Sequence, residues 1–320
     1  MKLMKKAVAL AVLGCAFAAP AHAGLVVLQT FSGNVGYSSD GFGSDSQNGT
    51  ISAFVPVGST VVAAYLYTST FGTFTNAGGS LNGQALTYAR LGRSGSSYPL
   101  EAGRADVTSL VASVINGGSG GLYDFNVTET SANQDGEALV VVYTNATLAN
   151  STIGILDGSS DSAGETTTIN FGSNVDPSAP GFTANLALGI GFSCCNQASS
   201  VTVNGTRITD NAGGNDDGAQ LANGALITVG GFDDAYSSLL PTYTNDHERY
   251  NITPFIEAGA SSLVINTTNA SNDDNIFLAI VSVSGTAAVN APADVPEPAS
   301  LALMGLGLAS ILRARRRKQR

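Results

Sequence analysis

The chain has 320 residues and a formal net charge of −10, but its charge is distributed very unevenly. Between residues 24 and 294 there is no lysine, and five arginines stand against 23 acidic residues, which gives this body a net charge of −18. Such an acidic body excludes electrostatic binding to nucleic acid or anionic lipid, whereas divalent cations remain suitable partners. At about 270 residues, the body is long enough for one large domain or two ordinary ones.

Residues 1–23 have the pattern of a secretory signal peptide. A head with three lysines precedes an almost wholly apolar run over residues 7–19, and Ala21-His22-Ala23 follows Pro20. Small residues at these last positions are what signal peptidase reads. We therefore expect export and cleavage before Gly24.

The body contains two stretches of the same local design. Ser80–Tyr88 and Val201–Thr209 each read as strand, Asn-Gly turn and strand, because both turn residues need a positive φ. Each stretch is preceded by a long apolar run. Each is followed by a helix-like segment, "DVTSLV" or "NITPFI", and then by a β-branched run. Four correspondences in the same order favour an internal duplication.

The helix-like segment of the first half is amphipathic. Its apolar residues recur at helical spacing between Val107 and Ile115, with Asp106 as the N-cap and Gly117 as the stop. The other apolar runs are short, β-branched and bounded by Gly, Asn or Asp, which is typical of strands. "ALVVVY" is apolar on both faces and predicts a central strand between two layers.

These patterns predict an all-β protein. We expect two jelly-roll-like β-sandwich units, each with a short helix, over residues 24–160 and 161–290. Residues 50–160, with "AAYLYTSTF", "LNG", "RADVTSLV" and "GEALVVVY", also resemble a sandwich module of secreted bacterial surface proteins. That resemblance implies a structural or adhesive role and supplies no catalytic motif.

One loop has the spacing of a calcium site. Asp157, Ser159, Asp161 and Glu165 stand at positions 1, 3, 5 and 9 of "DGSSDSAGE", where calcium loops place oxygen ligands. Position 6 lacks glycine and position 12 lacks glutamate, so turn formation by solvated acids is the competing interpretation. Calcium is the one cofactor that the sequence suggests.

The body has two cysteines, Cys194 and Cys195, which are adjacent. They can form a vicinal disulfide outside the cell, or they can remain two buried thiols. No disulfide framework is available to the body in either case.

A catalytic set is hard to assemble from this sequence. Gly117–Gly121 fits the esterase pattern around Ser119, and His247 is the only histidine of the body. The esterase pattern needs a strained turn between a strand and a helix, whereas here it follows a helix in a glycine run. We therefore expect a flexible loop and a protein that is not an enzyme, with a secreted hydrolase as the remote alternative.

The tail, residues 291–320, has three parts. Val295, Pro296, Glu297 and Pro298 form a rigid bend, residues 299–312 form one hydrophobic helix, and residues 313–320 are basic. The uncharged run of Leu301–Leu312 spans about 18 Å as a helix, which is short of a ~30 Å hydrocarbon core. The cytoplasmic stop consists of Arg313, Arg315, Arg316, Arg317 and Lys318.

This combination of bend, apolar run and basic end resembles the PEP-CTERM sorting signal of exported proteins in Gram-negative bacteria. The resemblance implies recognition and removal of the tail by an exosortase, after signal peptidase has acted at the other end. We therefore expect an envelope or extracellular-matrix structural protein associated with exopolysaccharide or biofilm. The tail helix would hold it in the inner membrane, with the body periplasmic, on the cell surface or extracellular. A carbohydrate-binding or adhesive module, supported by exposed tyrosines such as Tyr236, Tyr243 and Tyr250, is the alternative.

Overall fold

The computed structural model describes residues 24–43, 46–72, 74, 77–93, 100–160, 164–191, 198–214, 217, 227–269 and 275–290. Over these ranges the chain has twenty strands, one α-helix and two short 3-10 helices, which confirms the predicted all-β class. The chain divides into a body that ends at Val289 and a segment that begins at Asn290. Among the described residues, no helix is both long and apolar enough to cross a membrane.

Most strands follow one another with short connections, but the connections before β16 and before β17 are long. In chain order they are β1 (Val26–Gly33), β2 (Val35–Phe42), β3 (Asn48–Val55), β4 (Thr60–Phe71), β5 (Gly79–Leu81), β6 (Gln84–Leu86), β7 (Ala89–Arg93), β8 (Leu100–Asp106), β9 (Gly121–Glu129), β10 (Gln134–Thr144), β11 (Ser151–Asp157), β12 (Glu165–Val175), β13 (Ala184–Gly191), β14 (Ser199–Val203), β15 (Thr206–Ala212), β16 (Ile227–Val229), β17 (Arg249–Asn251), β18 (Ala260–Asn269), β19 (Asn275–Ser284) and β20 (Ala287–Val289). Helix α1 is Thr108–Ile115, and the 3-10 helices are Tyr243–Asn245 and Thr253–Phe255.

The strands form four sheets, which we number I to IV. Sheet I has the order β3-β9-β5-β6, and sheet II has the order β2-β10-β4-β8-β7. Sheet III has the order β1-β11-β19-β13-β16, with β17 also paired to β13, and sheet IV has the order β15-β14-β18-β12-β20. All the strand pairs are antiparallel, so alternate side chains of each strand point to opposite faces of its sheet.

Three apolar cores separate the four sheets. Phe125 of sheet I and Leu139 of sheet II share the first core, which α1 also enters through Val111. Leu188 of sheet III and Leu263 of sheet IV share the last core. Each of these cores makes one β-sandwich, because two inner faces interdigitate over it.

The middle core joins the two sandwiches. Tyr67 and Val140 of sheet II pack in it with Ile155 and Phe277 of sheet III. The four sheets are therefore stacked in the order I, II, III, IV. Strand β10 lies inside this stack and is buried on both faces from Gln134 to Tyr143, as the doubly apolar run predicted.

The helix of the first half begins one residue later than expected, because its N-cap is Val107 rather than Asp106. Asp106 Oδ1 accepts the backbone N–H of Thr108 at 2.9 Å, and Gly117 follows the helix with φ +78°. Val111 and Ile115 are buried, but Val114 is 40% exposed, so the expected apolar face is narrower than the sequence predicted. Val114 lies on the solvent side because only one face of this short helix meets the first core.

The corresponding segment of the second half is a single 3-10 turn with the same contacts. Asn251 Oδ1 accepts the N–H of Thr253 at 3.1 Å, in the place of Asp106 and Thr108. The hydroxyl of Thr108 bonds both backbone groups of Ala64, and that of Thr253 bonds both backbone groups of Ala184. The two segments are thus tied to equivalent strands, β4 and β13, in the same way.

The two Asn-Gly turns also have matching contacts. Asn82 and Asn204 have φ of +49° and +48°, and the following glycines also have positive φ, as this turn requires. The Asn82 side chain accepts the N–H of Asn126 at 2.8 Å, and that of Asn204 accepts the N–H of Val264 at 3.0 Å. Each turn is therefore pinned to the neighbouring strand of its own outer sheet.

The strand orders of the two halves correspond as well. In sheet II the order β2-β10-β4-β8 matches β11-β19-β13-β17 in sheet III, and sheet I matches the β12-β18-β14-β15 part of sheet IV. Strands β1 and β11 both precede residue 160, yet they belong to sheet III, where β1 pairs with β11 and β11 pairs with β19 of the second half. The domain boundary expected near residue 160 stays a prediction.

Removing the Phe277 ring should weaken the whole stack. The ring is fully buried in the middle core, with its centroid 6.1 Å from that of Tyr67. We expect Phe277→Ala to lower the free energy of unfolding by about 3–5 kcal/mol, measured by urea denaturation. Val57→Ala, at a 69% exposed position, should stay within about 0.5 kcal/mol of the wild type. Equal stability of the two variants would contradict the packing of sheet II on sheet III.

Candidate functional site

Three of the four residues expected to bind calcium, Asp157, Ser159 and Glu165, are each hydrogen-bonded to a different part of the fold. Asp157 accepts hydrogen bonds from the guanidinium of Arg104 and, at 3.1 Å, from the hydroxyl of Tyr67. Burial raises the pKa of Asp157, and the bond to Arg104 opposes that shift. This carboxylate therefore serves as the buried partner of an arginine.

Ser159 and Glu165 are each hydrogen-bonded to a different residue. The Ser159 hydroxyl donates to Asn275 Oδ1 at 3.1 Å, while both Glu165 oxygens accept the N–H of Leu25 at 2.9 Å. Asp161, Cys194 and Cys195 lie outside the described residues. Over the part of the chain that is described, no three His, Cys, Asp or Glu side chains form a group that could hold a metal ion.

The residues considered for hydrolysis belong to different halves of the body. Ser119 is exposed in the turn after α1, and His247 lies just before β17. The backbone N–H of His247 donates to Ser237 Oγ at 2.8 Å. The structure therefore gives no support for Ser119 as a nucleophile with His247 as its base.

The tyrosines proposed for sugar binding differ in exposure. Tyr236 is 46% exposed and Tyr243 is half-buried, but Tyr250 is only 2% exposed. The expectation that Tyr250 is exposed is wrong, because its ring belongs to the last core, between sheets III and IV, and its hydroxyl donates to Asp246 Oδ1 at 2.7 Å. Of the three, Tyr236 offers the largest accessible ring.

Tyr236 is carried by the long loop between β16 and β17, which also binds the edge of sheet II. The N–H of Phe232 donates to Ser39 O at 2.8 Å, and the Ser39 hydroxyl donates to Gly230 O at 2.6 Å. The Phe232 ring stacks on Phe54 with the centroids 6.2 Å apart. This loop thus covers the exposed edge strand β2 and links the second half to the first.

The start of β17 fixes the same loop from the other side. Arg249 donates to the carbonyl oxygens of Phe232 at 3.0 Å and Asp234 at 2.6 Å. Its guanidinium also lies over the ring of Tyr236, 4.6 Å from the centroid. A planar cation that is stacked and hydrogen-bonded in this way holds the Tyr236 ring in one orientation.

A cavity of about 220 Å³ opens where this loop meets the two halves. Tyr37 and Tyr143 line it from sheet II, Asn185 lines it from sheet III, and Tyr236 and Arg249 line it from the loop and β17. Burial raises the pKa of Tyr37 and of Tyr143, so both phenols are neutral hydrogen-bonding groups at physiological pH. The cavity therefore offers aromatic rings and neutral polar groups.

Two further cavities continue from this one along the second half. Tyr236 also lines a cavity of about 420 Å³ together with Leu239 and Phe255. Phe255 in turn lines a cavity of about 460 Å³ that reaches Asn204 and Glu257. Because neighbouring cavities share these residues, we treat them as one surface depression, which we call the Tyr236 groove.

Acidic residues lie beside the loop between β16 and β17. Asp40 of β2 is 8% exposed and accepts the N–H of Ser52. Burial, and to a smaller extent the charges of Asp233 and Asp234, raise the pKa of Asp40 to about 7. The Asp40 carboxyl thus changes its charge near neutral pH. It belongs to β2, the strand to which the loop between β16 and β17 is hydrogen-bonded.

Two further acids, Asp246 and Glu248, lie at the other end of the loop between β16 and β17. Asp246 accepts hydroxyl hydrogen bonds from Thr209, Ser237 and Tyr250. Glu248 is fully buried and accepts from the N–H of Gly213 and the hydroxyl of Thr228. Burial and the charge of Asp246 raise the pKa of Glu248 well above its usual range.

Sequence reasoning missed a third set of buried acids, at the ends of β9 and β10. Glu129, Asp135 and Glu137 are at most 4% exposed. Burial, with the charge of Asp135 as a smaller cause, raises the pKa of Glu129 to about 8. The sequence signal for Asp135 and Glu137 is the stretch "NQDGEALVVVY". Acids at the start of a strand that is buried on both faces are expected to lie in the interior as well.

The C-terminal segment matches the family model of the PEP-CTERM protein-sorting motif over residues 294–318. The chain therefore carries a PEP-CTERM sorting motif, which supports an exported protein that is sorted by an exosortase. This confirms the resemblance drawn from Val295, Pro296, Glu297 and Pro298. The motif and the basic residues from Arg313 to Lys318 lie outside the described residues.

Likeness to solved structures is distant. The peptide-N(4)-(N-acetyl-β-D-glucosaminyl) asparagine amidase is 12% identical, with 80% of this chain and 99% of that chain covered and a TM-score of 0.26. A β-porphyranase of glycoside hydrolase family 86 from the human gut bacterium Bacteroides plebeius is 10% identical, over 84% of this chain and 38% of that chain, at 0.19. BuGH86 in complex with neoagarooctaose is 11% identical, over 81% and 34%, at 0.20.

This chain thus spans well under half of the two glycoside hydrolase chains. At these TM-scores none of the three likenesses bears on activity. No curated protein matches the sequence.

Asp40 should make stability depend on pH. Its pKa is raised on folding, so its contribution is fully present at low pH and is lost as the pH rises through about 7. We expect Asp40→Asn to match the wild type at about pH 3, below the ordinary pKa of an aspartate, and to be more stable by up to about 4 kcal/mol at pH 8. Urea unfolding at both pH values measures this, with Glu257→Gln at an exposed position as the control. A gain of the same size at both pH values would contradict the role of the charge.

Proposed function

We propose that the protein is a non-enzymatic structural component of the cell envelope or extracellular matrix, held close to exopolysaccharide. The observation that carries the proposal is the sorting motif over residues 294–318, which directs an exported chain to an exosortase. A lysine-free body with a net charge of −18 stays soluble outside the cell and does not adhere to nucleic acid. Four sheets packed through three cores suit a rigid structural element.

The route to that location would use both ends of the chain. Residues 1–23 would direct export and be removed by signal peptidase before Gly24. Residues 299–312 would then form a hydrophobic helix that holds the chain in the inner membrane, with residues 313–320 as the cytoplasmic stop. The body would be periplasmic at that stage and cell-surface or extracellular after the exosortase has acted.

We also infer that the body arose by duplication of a jelly-roll-like unit. Support comes from the matching strand orders, from the two pinned Asn-Gly turns, and from the threonines that tie equivalent segments to β4 and β13. Because β11 already pairs in sheet III, the junction between the units would fall near residues 145–150, between β10 and β11.

The sorting proposal is tested on protein from the native host. Intact mass and C-terminal peptide mapping should give a chain that begins at Gly24 and ends at or near Pro296. In a strain without the exosortase, the same chain should keep its tail through Arg320. A Glu297→Ala variant should behave like the exosortase-negative strain. A chain that carries Arg320 in both strains would contradict processing.

A second candidate function is carbohydrate binding, and the Tyr236 groove favours it. Binding sites for small polar molecules combine aromatic faces with a few placed hydrogen-bonding groups, as Tyr37, Tyr236 and Asn185 do here. The continuation of the groove past Phe255 suits a linear chain of sugars better than a single one. The strong negative charge of the body favours a neutral polysaccharide over an acidic one.

Tyr236→Ala should weaken polysaccharide binding at least tenfold, because it removes the ring shared by two of the three cavities. Affinity gel electrophoresis against soluble neutral polysaccharides, such as laminarin and xyloglucan, measures the change. Leu122→Ala is a suitable control, because Leu122 is 57% exposed on sheet I and does not line the groove. No retardation of the wild type on any of them, or unchanged binding by Tyr236→Ala, would remove this candidate.

A further inference from the structure

Gly24 is the residue that the expected signal-peptidase cut would leave first, and the fold holds it closely. The first residues of a domain are poorly ordered unless contacts tie them down. Here the contacts begin at once, because both oxygens of Glu165 accept the backbone N–H of Leu25 at 2.9 Å. The first peptide unit of the body is thus bound by a carboxylate 140 positions away in the sequence.

A second contact also holds Gly24. Gly158 follows β11, and a Cβ at Gly158 would collide with the carbonyl oxygen of Gly24. A Cβ at Gly24 itself would lie 3.2 Å from Oε1 of Glu165. The Gly24 backbone therefore touches both the residue that follows β11 and the carboxylate at the start of β12.

The next residues tie this end of the body to the last sandwich. Leu25 and Val27 pack against the core that sheets III and IV share. Val26 pairs with Asp157 of β11 in sheet III, whereas Glu165 belongs to β12 in sheet IV. The hydrogen bond between Leu25 and Glu165 thus links the two sheets of the last sandwich.

Cleavage before Gly24 would change the chemistry of the Gly24 nitrogen. Signal peptidase hydrolyses the peptide bond between Ala23 and Gly24, so water supplies the hydroxyl of the new carboxyl group and a hydrogen to the new amine. The amine then takes a proton from the solvent, because the ordinary pKa of an α-amino group is about 8. A neutral amide nitrogen thereby becomes an α-ammonium with a positive charge.

This ammonium would lie close to the Glu165 carboxylate. The nitrogen is two bonds from the position of a Cβ on Gly24, about 2.5 Å, so it lies within about 6 Å of Oε1 of Glu165. Opposite charges at that separation attract each other and favour the charged forms of both groups. A carboxylate has about four acceptor sites, so Glu165 can bind the Leu25 N–H and an ammonium together.

The α-amine of Gly24 would also be the only primary amine of the body. Residues 24–294 contain no lysine, and the first lysine after Gly24 is Lys318 in the basic end of the chain. An added cation reduces the self-repulsion of a body with a net charge of −18. Because an amine reagent has one target on this body, the protonation of that target can be measured directly.

We propose that Glu165 is the binding site of the α-ammonium of the mature chain, so that removal of residues 1–23 completes the last sandwich. The inference rests on the expected cleavage before Gly24, which belongs to the proposed function. Cleavage adds a charge-assisted contact at the carboxylate that already links sheets III and IV. Processing at the N-terminus thereby stabilises the folded body, and the paired amine stays protonated at neutral pH.

The test uses the chain from Gly24 to Arg320 in detergent, released from an N-terminal tag by a protease that leaves no extra residue. Lys318→Arg keeps the charge of the tail and makes the Gly24 amine the only primary amine. Brief treatment with acetic anhydride gives a matched chain without the ammonium. These defined ends separate the test from the native-host mapping, which decides whether cleavage before Gly24 occurs.

Glu165→Gln keeps an acceptor for the Leu25 N–H and removes the charge. At pH 6.5 it should lower the midpoint of thermal unfolding by about 1–3 °C more in the free-amine chain than in the acetylated chain. Pairing raises the pKa of the amine, so this difference is fully present below about pH 8 and is lost by about pH 10. It should also shrink in 0.5 M NaCl, because salt screens the pair.

Labelling with fluorescamine measures the protonation of the amine. At pH 7.5 the chain with Glu165 should react at least threefold more slowly than Glu165→Gln, because the carboxylate favours the unreactive ammonium. Glu257→Gln is the matched control, since Glu257 is an exposed acid of the same sandwich. It should label at the same rate as the chain with both acids.

Three results would overturn the proposal. The first is an equal loss of thermal stability by Glu165→Gln in the free and acetylated chains, which would leave Glu165 serving only the Leu25 N–H. The second is labelling at the same rate with and without Glu165. The third is equal acceleration of labelling by Glu257→Gln, which would mean that the amine responds to the total charge of the body.

Discussion

The packing of sheet II against sheet III is the contact on which the rest of the structure depends. Strands β10 and β19 are central in these sheets, and nearly every side chain of both strands is buried. A sandwich with one solvated face needs polar residues at alternate positions, whereas the runs Ala138–Tyr143 of β10 and Ile276–Val281 of β19 are apolar at every position. Neither sandwich could expose its middle-core face to water without presenting a continuous apolar surface. The two halves therefore form one body, and the loop between β16 and β17 lies across both.

That loop shows how the same constraint produces a groove. Edge strand β2 leaves backbone groups open at the margin of sheet II, and the N–H of Phe232 donates to one of them, the carbonyl oxygen of Ser39. The Ser39 hydroxyl in turn donates to the carbonyl oxygen of Gly230. The loop then has to return to β17, and Arg249 fixes its path by binding two of its carbonyl oxygens. Tyr236 is consequently held at the surface between the halves. A groove on a rigid margin of this kind keeps its shape before a ligand arrives, which lowers the entropic cost of binding.

The sequence predicted what depends on neighbours along the chain. The Asn-Gly turns, the stop of α1 at Gly117 and the doubly buried run of β10 are local signals, and the structure has all of them. It could not predict which distant groups would meet. Asp157 has the spacing of a calcium ligand, but its partner is Arg104, 53 positions earlier, and no spacing rule identifies such a partner. Tyr250 was expected to be exposed, yet it pairs with Leu186 of β13 and its ring lies in the last core. Long-range pairing likewise puts β1 and β11 into a sheet of the second half.

The charge of the body gives the buried acids their significance. Arg90, Arg104 and Arg207 are each bound to an acid, and Arg249 is bound to backbone carbonyls, so arginine is used almost entirely within the fold. The carboxyls of Glu129 and Asp135 must then be met by protons. Burial raises the pKa of Glu129 to about 8 and that of Asp135 well above its usual range, so protons meet this need up to neutral pH. A body without lysine thus leaves one part of its own stabilisation to the environment into which it is exported. The acidity of the body would in this way couple its stability to the pH of that environment.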